Sequence, residues 1–394
     1  MIKNPASVQA LRRLARLALQ RSGILEWRPG KVGILHLDLV TAALRQLGRS
    51  EQISPDEETG RLWRADALDL FQLGGMDSRL LAAVADASLK RLRVAPKDIA
   101  AGALVGYHLY RSERAALISR LQTRFLARFS AAEIVENGEL GYWSMLRADA
   151  GFFKRLPPVE AMLERLPKLE FPINFLKEGD KPVIYASGDD AYIRRFGPNL
   201  LCSIAKHSPG ADVVLNLTAP TPPTLGLVEQ WRRELPLSVA ASLERLSPRQ
   251  WPLAKRNVYY ACIRFIRALQ WLRKLNRPLI LIDLDAEARC DLQSAADGME
   301  NYDVAMMLDQ RRRGPFRETP VGFVYYNNTP AAHGFLATVA AYIGHFLLNA
   351  EPCWMLDQTA HYATLRHYIA TRTPLRVRWH DFQTFPLAAF VGEK

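Results

Sequence analysis

At 394 residues, 49% of them apolar and 23% charged, the chain has a globular composition and enough length for two domains. Its formal net charge of +12 favours anionic partners, namely phosphorylated ligands or acidic lipid head groups. Four cysteines without C-x-x-C spacing argue against a disulfide framework or a cysteine zinc site, and the absence of zinc-finger spacing or an RNP-like aromatic motif argues against nucleic acid as a partner.

The first predicted element is an Arg-rich amphipathic helix, "SVQALRRLARLALQR", in which Val8, Leu11, Leu14 and Ala18 recur at three- and four-residue intervals. It lacks the apolar core and cleavage site of a secretory signal. Residues 1 to 50 carry nine Lys and Arg against two Asp and Glu. A cytoplasmic protein with peripheral contact to an anionic membrane surface is therefore expected.

Similar periodicity continues through "DLVTAALRQLG", "RLLAAVADASLKRL" and "ERAALISRLQTRFLARF", with Asp77 and Ser78 as capping residues and Gly48, Gly74 and Gly75 as stops. Residues 1–175 are expected to form an all-α helical domain that binds acceptor, partner or membrane surface. It would end in the proline-rich connector "RLPPVEAMLERLPKLEFPINFLKEGDKP".

From residue 176 to 394 the texture changes. Short β-rich runs, "PVIYAS" and "DVVLNL", precede a long helix, "RNVYYACIRFIRALQWLRKL", and then "PLILIDLD". The expected fold is α/β, a mostly parallel sheet flanked by helices, which binds ligands at the carboxyl ends of its strands. The longest apolar run, "FLATVAAYIGHFLLNA", is broken by Gly344 and His345 and falls short of the ~20 residues of a membrane span.

"LILIDLD" runs a buried strand into two carboxylates. If the strand persists, Asp283 and Asp285 face one side and Leu284 faces the core. Two neighbouring carboxylates repel each other, and a shared proton or a divalent cation relieves the repulsion. Manganese or magnesium on such a pair keeps positions open for substrate phosphates.

These residues resemble the D-x-D segment of GT-A-fold nucleotide-sugar glycosyltransferases, in particular the retaining family of glycogenin and the bacterial lipooligosaccharide galactosyltransferases. Arg289, Asp291 and Leu292 resemble the family's following "R-D-L" element, one residue longer here. "VIYASGDDAYIRRFG" resembles its first strand and nucleotide-contacting loop, with Asp189, Asp190 and Tyr192 matching. Ala191 replaces the family's asparagine there, which leaves the base open. Tyr260 and Arg264 match a helix near the donor. Downstream, Gly322, Asn327 or Asn328, and the Asp357-Gln358 pair follow in the family's order, with Pro320 where an asparagine is usual.

The resemblance covers residues 181 to about 385. It implies a metal-dependent transfer of sugar from a nucleotide-diphosphate donor to a glycan, lipid or protein acceptor, with retention of configuration. It also implies Asp357 and Gln358 on the sugar, and donor contacts from Asp189, Asp190, Tyr192, Tyr260, Arg264 and Asp283. Mn2+ or Mg2+ would sit on Asp283, Asp285 and a late histidine, for which His380 is the best placed and His361 and His333 are weaker. A degenerate domain acting as a non-enzymatic binding platform is the alternative, suggested by Ala191 and Pro320.

Overall fold

The computed structural model describes residues 115–136, 138–173, 179–246, 253–309, 318–349 and 352–390, with isolated positions between 88 and 109 and at 176. The amphipathic helices expected before residue 88 lie outside the described residues. The chain divides into two compact units, one running to Asp149 with a short excursion at 311–315, the other comprising Ala150–Gln310 and Phe316–Lys394.

In the first unit the described helices are α1 (Ala115–Leu126), α2 (Ala131–Glu136) and α3 (Gly138–Met145). The start of α2 is fixed by a reciprocal pair of bonds: the Ser130 amide donates to Glu133 at 2.7 Å and the Glu133 amide to Ser130 Oγ at 3.2 Å. Buried Gln122 on α1 donates its side-chain amide to the Trp143 and Leu146 carbonyls, tying α1 to the end of α3.

The second unit begins with α4 (Ala150–Lys154), α5 (Val159–Leu163) and β1 (Leu169–Ile173). The prolines that suggest a connector instead punctuate short elements. Strand β1 falls before residue 175, so an all-α character does not extend over the whole of 1–175. Pro158 illustrates the reason, because it precedes α5 at φ −52°, an angle its ring favours and helix starts accept.

There follow β2 (Val183–Asp189), α6 (Asp190–His207), β3 (Asp212–Thr218), α7 (Pro222–Glu234), β4 (Ser238–Glu244), α8 (Leu253–Leu275) and β5 (Leu279–Ile282). Then come β6 (Ala286–Ala288), α9 (Leu292–Asp297), β7 (Val304–Leu308), β8 (Phe323–Tyr326), α10 (Pro330–Asn349), α11 (Leu356–Thr371), β9 (Val377–Asp381) and β10 (Ala388–Phe390).

Eight strands form one sheet in the order β1-β4-β3-β2-β5-β8-β7-β9, and β10 pairs with β6 in a second, two-stranded sheet. The four central strands β4, β3, β2 and β5 run parallel, as expected for strands joined through helices. Strand β8 runs antiparallel to both β5 and β7, and β1 antiparallel to β4, while β7 and β9 pair in parallel, so six of the eight strands share one direction and the sheet is mostly parallel, as expected. Continuous apolar runs such as Leu279–Ile282 and Phe323–Tyr326 are buried along their whole length.

Helix α10 is long and apolar enough to cross a membrane by length and composition. Its side chains Phe335, Leu336, Val339 and Tyr342 are nevertheless fully buried within the unit. Gly344 lies directly under the Met162 side chain, where any Cβ would collide. The helix is part of the core.

Candidate active site

The strand β5 ends at Ile282, and residues 283–285 form a tight turn closed by the Ala286 amide donating to the Asp283 carbonyl at 3.0 Å. The expectation that the strand persists through both carboxylates is therefore corrected. The alternation it implied survives, since Leu284 is buried in the core while Asp283 and Asp285 are partly exposed on either side of it. Buried Ala286 and Ala288 return the chain into β6, paired with β10.

Asp283 is held from three sides. Its amide donates to the Gly322 carbonyl at 2.8 Å, continuing the β5·β8 ladder past the end of the strand. A Cβ on Gly322 would lie 2.7 Å from Asp283 Oδ2 and 2.8 Å from the Phe390 ring, so the glycine makes room for the carboxylate. The third contact is an ion pair with Arg264.

Arg264 projects from α8, whose 23 residues lie against β2 and α10. Its second terminal nitrogen reaches Asp357 Oδ2 at 3.1 Å, so one guanidinium joins two carboxylates about 70 residues apart in sequence, as planar forked donors can. The Arg264 side chain is 11% exposed, Asp357 9% and Asp283 28%. Arg264 Nε is buried and has no hydrogen-bond partner among the described residues.

Asp357 lies in the first turn of α11, where a carboxylate is favoured by the helix dipole. Met355 before it adopts a left-handed conformation at φ 70°, an unusual choice for a side chain larger than glycine or asparagine. Asp357 Oδ1 accepts from the Gln358 amide at 2.8 Å. Four residues on, His361 is fully buried, with Nδ1 2.8 Å from the Asp357 carbonyl and Nε2 2.6 Å from the Tyr326 hydroxyl. Burial holds this imidazole down to about 4, hence neutral at pH 7, so Nδ1–H donates to the carbonyl and Nε2 accepts from Tyr326.

Of the predicted donor contacts in the first loop, only Tyr192 reaches the turn: its hydroxyl donates to Asp285 Oδ2 at 2.8 Å. Burial, and then the hydrogen bond and charge of Asp285, raise the Tyr192 phenol above its ordinary range. Asp189 caps α6 by accepting from the Tyr192 amide at 2.8 Å. The Tyr260 phenol on α8 is raised first by burial and then by the charge of Asp189.

Asp190 is engaged elsewhere. Its Oδ1 accepts from the Thr221 amide at 2.8 Å and from the hydroxyls of Thr221 and Thr224, while Oδ2 pairs with Arg194 at 2.9 Å. Burial opposes the charge, but these donors outweigh it and hold the carboxyl below its usual value. Asp190 thus staples the start of α6 to α7.

The histidines do not join the carboxylate pair. His380 on β9 packs its ring on Phe323 and Phe385, and its buried Nε2 has no hydrogen-bond partner among the described residues. His361 is committed as described, and His333 Nε2 lies 2.9 Å from Asn328 Oδ1. Asn327 and Asn328 stitch neighbouring loops through the carbonyls of Glu300, Tyr302 and Asn276. Among the described residues no three His, Cys, Asp or Glu side chains converge to hold a metal ion. Asp283 and Asp285, with Leu284 between them in the turn, are oxygen donors of the type a hard cation takes alongside water and phosphate.

No family model matches the sequence. No curated protein matches it either. Among solved structures, similarity is found to the bifunctional glycosyltransferase WbbM, at 16% identity and TM-score 0.36, over 52% of this chain and 46% of that one. Mouse xyloside xylosyltransferase 1 is similar at 13% identity and TM-score 0.33, over 52% of this chain and 86% of that one. The galactosyltransferase LgtC, in complex with donor and acceptor sugar analogues, is similar at 10% identity and TM-score 0.35, over 50% of this chain and 72% of that one. This chain thus spans less than half the length of WbbM, and over about half of its own length it is similar to solved structures of glycosyltransferases.

Proposed function

We propose that the chain is a glycosyltransferase that moves a sugar from a nucleotide diphosphate to an acceptor hydroxyl. The observation that carries this reading is the convergence on Arg264 of Asp283, from the turn after β5, and Asp357, from the first turn of α11. Both are motif residues picked out independently in the sequence. The pair of carboxylates and their guanidinium lie at the carboxyl end of a parallel strand, where α/β sheets present ligands, and Asp285 follows in the same turn.

In the proposed reaction the bond from the anomeric carbon to the diphosphate breaks, its electron pair leaves on the phosphate oxygen, and the acceptor oxygen forms the new bond while its proton passes to the departing phosphate oxygen. Arg264 supplies positive charge where the leaving group becomes more negative. Asp357 and Gln358 orient the sugar hydroxyls, and the Asp357 carboxylate shields the positive character that grows at the anomeric carbon. A divalent ion, held by Asp283 and Asp285, would when bound neutralise the diphosphate. Tyr192 orients Asp285, and Gly322 leaves space for Asp283. Retention of anomeric configuration, implied by the sequence resemblance, completes the proposal.

The test is turnover of a panel of nucleotide-diphosphate sugars by the full chain, with and without Mn2+, followed by release of free nucleotide. The expected result is metal-dependent release from one donor class, abolished in Asp285→Asn. Binding of a donor without turnover would instead identify a binding platform, and release of pyrophosphate from a nucleoside triphosphate and a sugar phosphate would identify a nucleotidyltransferase.

A further inference from the structure

Arg264 places its two terminal nitrogens on two carboxylates, one of which is a candidate cation ligand. A guanidinium and a divalent ion on Asp283 compete, because like charges a few ångströms apart in a partly desolvated setting repel by several kcal/mol. Among the described residues the buried Nε of Arg264 also has no hydrogen-bond partner. We infer that Arg264 is a tethered counter-cation on Asp283, which an incoming divalent ion displaces, so that metal arrival and release of the guanidinium toward the donor's diphosphate form a single exchange.

This inference rests on the proposed transferase reading and adds an order of events to it. In the exchange Asp283 trades a guanidinium for a metal ion, and Arg264 trades a carboxylate for a phosphate. Every ion keeps an opposite charge throughout. Without a diphosphate to receive it, the displaced Arg264 would be left beside the metal, so the ion alone should bind weakly to the wild-type protein.

The experiment titrates the full chain with Mn2+ alone, with no nucleotide, reading bound metal by electron paramagnetic resonance. Arg264→Gln removes the competitor and should bind Mn2+ tighter by about tenfold or more, as expected for the loss of a close like charge. Arg195→Gln is the control. Arg195 stacks on Phe196 at 4.8 Å and is exposed, so its removal should change Mn2+ affinity by less than about threefold, given solvent screening.

Equal or weaker Mn2+ binding by Arg264→Gln than by wild type would overturn the inference, as would an equal gain in Arg195→Gln. Should Arg264→Gln fail to fold, Arg264→Met, which also removes the positive charge while keeping an unbranched side chain, should bind Mn2+ more tightly than wild type, and no gain there would overturn the inference as well. Failure of the parent reading looks different: there, Asp285→Asn leaves Mn2+ affinity unchanged, whatever Arg264 does.

Discussion

Helix α8 carries two arginines one turn apart, and their environments could hardly differ more. Arg267 is 1% exposed and its partner Glu244 is not exposed at all. Every one of the Arg267 nitrogens is engaged: Nε and Nη2 donate to Glu244 Oε2, Nη2 also to the Pro167 carbonyl, and Nη1 to Gln270. Glu244 in turn accepts from the Tyr259 hydroxyl at 2.9 Å and from Thr218 Oγ1 at 3.0 Å. Arg264 faces one buried carboxylate, Asp357, and one partly exposed carboxylate, Asp283, and its Nε has no hydrogen-bond partner among the described residues. A saturated buried pair has nothing left to offer a ligand, whereas an incompletely satisfied one at an opening does. The first fastens the helix to the ends of β3 and β4, and the second can exchange partners.

The strongest consequence concerns the sealed pair. Breaking it by Glu244→Ala strands a buried guanidinium and should cost about 3–5 kcal/mol in denaturant unfolding. Replacing both partners together, as Glu244→Gln with Arg267→Met, should cost less than Glu244→Ala alone, because no charge is left unpaired. A loss below about 1 kcal/mol for Glu244→Ala, the range of an exposed pair, would erase the distinction between the two arginines.

The open pair should behave in the opposite way, sensitive in turnover and tolerant in stability. Asp283→Asn is expected to lower turnover of the donor by about 10²–10³-fold, in the range seen when one preorganised charge-stabilising group is lost. Its unfolding midpoint should move far less than that of Glu244→Ala. Gly322→Ala offers a milder version, because its Cβ would press on Asp283 Oδ2 and shift the carboxylate without removing it. A fall in turnover with little change in stability is the expected result, and an unaffected rate would show that the position of Asp283 is unimportant.

How much of this could be read from sequence depended on whether the cause was local. The apolar run before Asp283, the first-turn place of Asp357 and the helical phase of Tyr260 and Arg264 are short-range patterns, and the structure reproduces each. Gly322 was visible only as a motif position, since its reason is a carboxylate 39 residues earlier in the chain. Asp190 was grouped with the donor contacts because it adjoins Asp189, yet the hydroxyls that claim it come from about 30 residues away. Glu244 and Arg267 gave no signal at all, because a buried ion pair has no spacing rule and each residue alone looks like ordinary surface charge. The prolines of 157–172 read as a break, but tertiary packing of buried Met162 and Ile173 gives that stretch its structure.

His361 tests the floor beneath the open pair. Its folded-state value of about 4 lies below the ordinary histidine value, so the unfolded chain binds a proton that the folded chain refuses. The stability this group contributes is therefore complete above about pH 6.5 and is lost as pH falls toward 4, by roughly 3 kcal/mol in all. Unfolding free energies measured between pH 7 and pH 4.5 should fall more steeply for wild type than for His361→Gln. Identical slopes would mean that the imidazole is not buried beneath Asp357.

The smallest effect is expected at Tyr192. Its hydroxyl donates to Asp285 at 2.8 Å, but the residue is 40% exposed and its ring also packs on Phe196, so the hydroxyl can be removed without disturbing the helix start. Tyr192→Phe should leave stability unchanged within about 0.5 kcal/mol, as for other exposed positions. A hydrogen bond to a charged acceptor contributes about 1.5 kcal/mol at the low end, so donor affinity should weaken by roughly tenfold if Tyr192 orients Asp285 for the ligand. Wild-type affinity in the variant would instead assign the tyrosine to packing, leaving Asp285 to be positioned by the turn alone. The outcome matters for the comparison because Asp285, unlike Asp283, has no basic partner among its recorded contacts. Among the described residues, the hydrogen bond from Tyr192 is the side-chain contact that distinguishes a poised ligand from a solvated carboxylate.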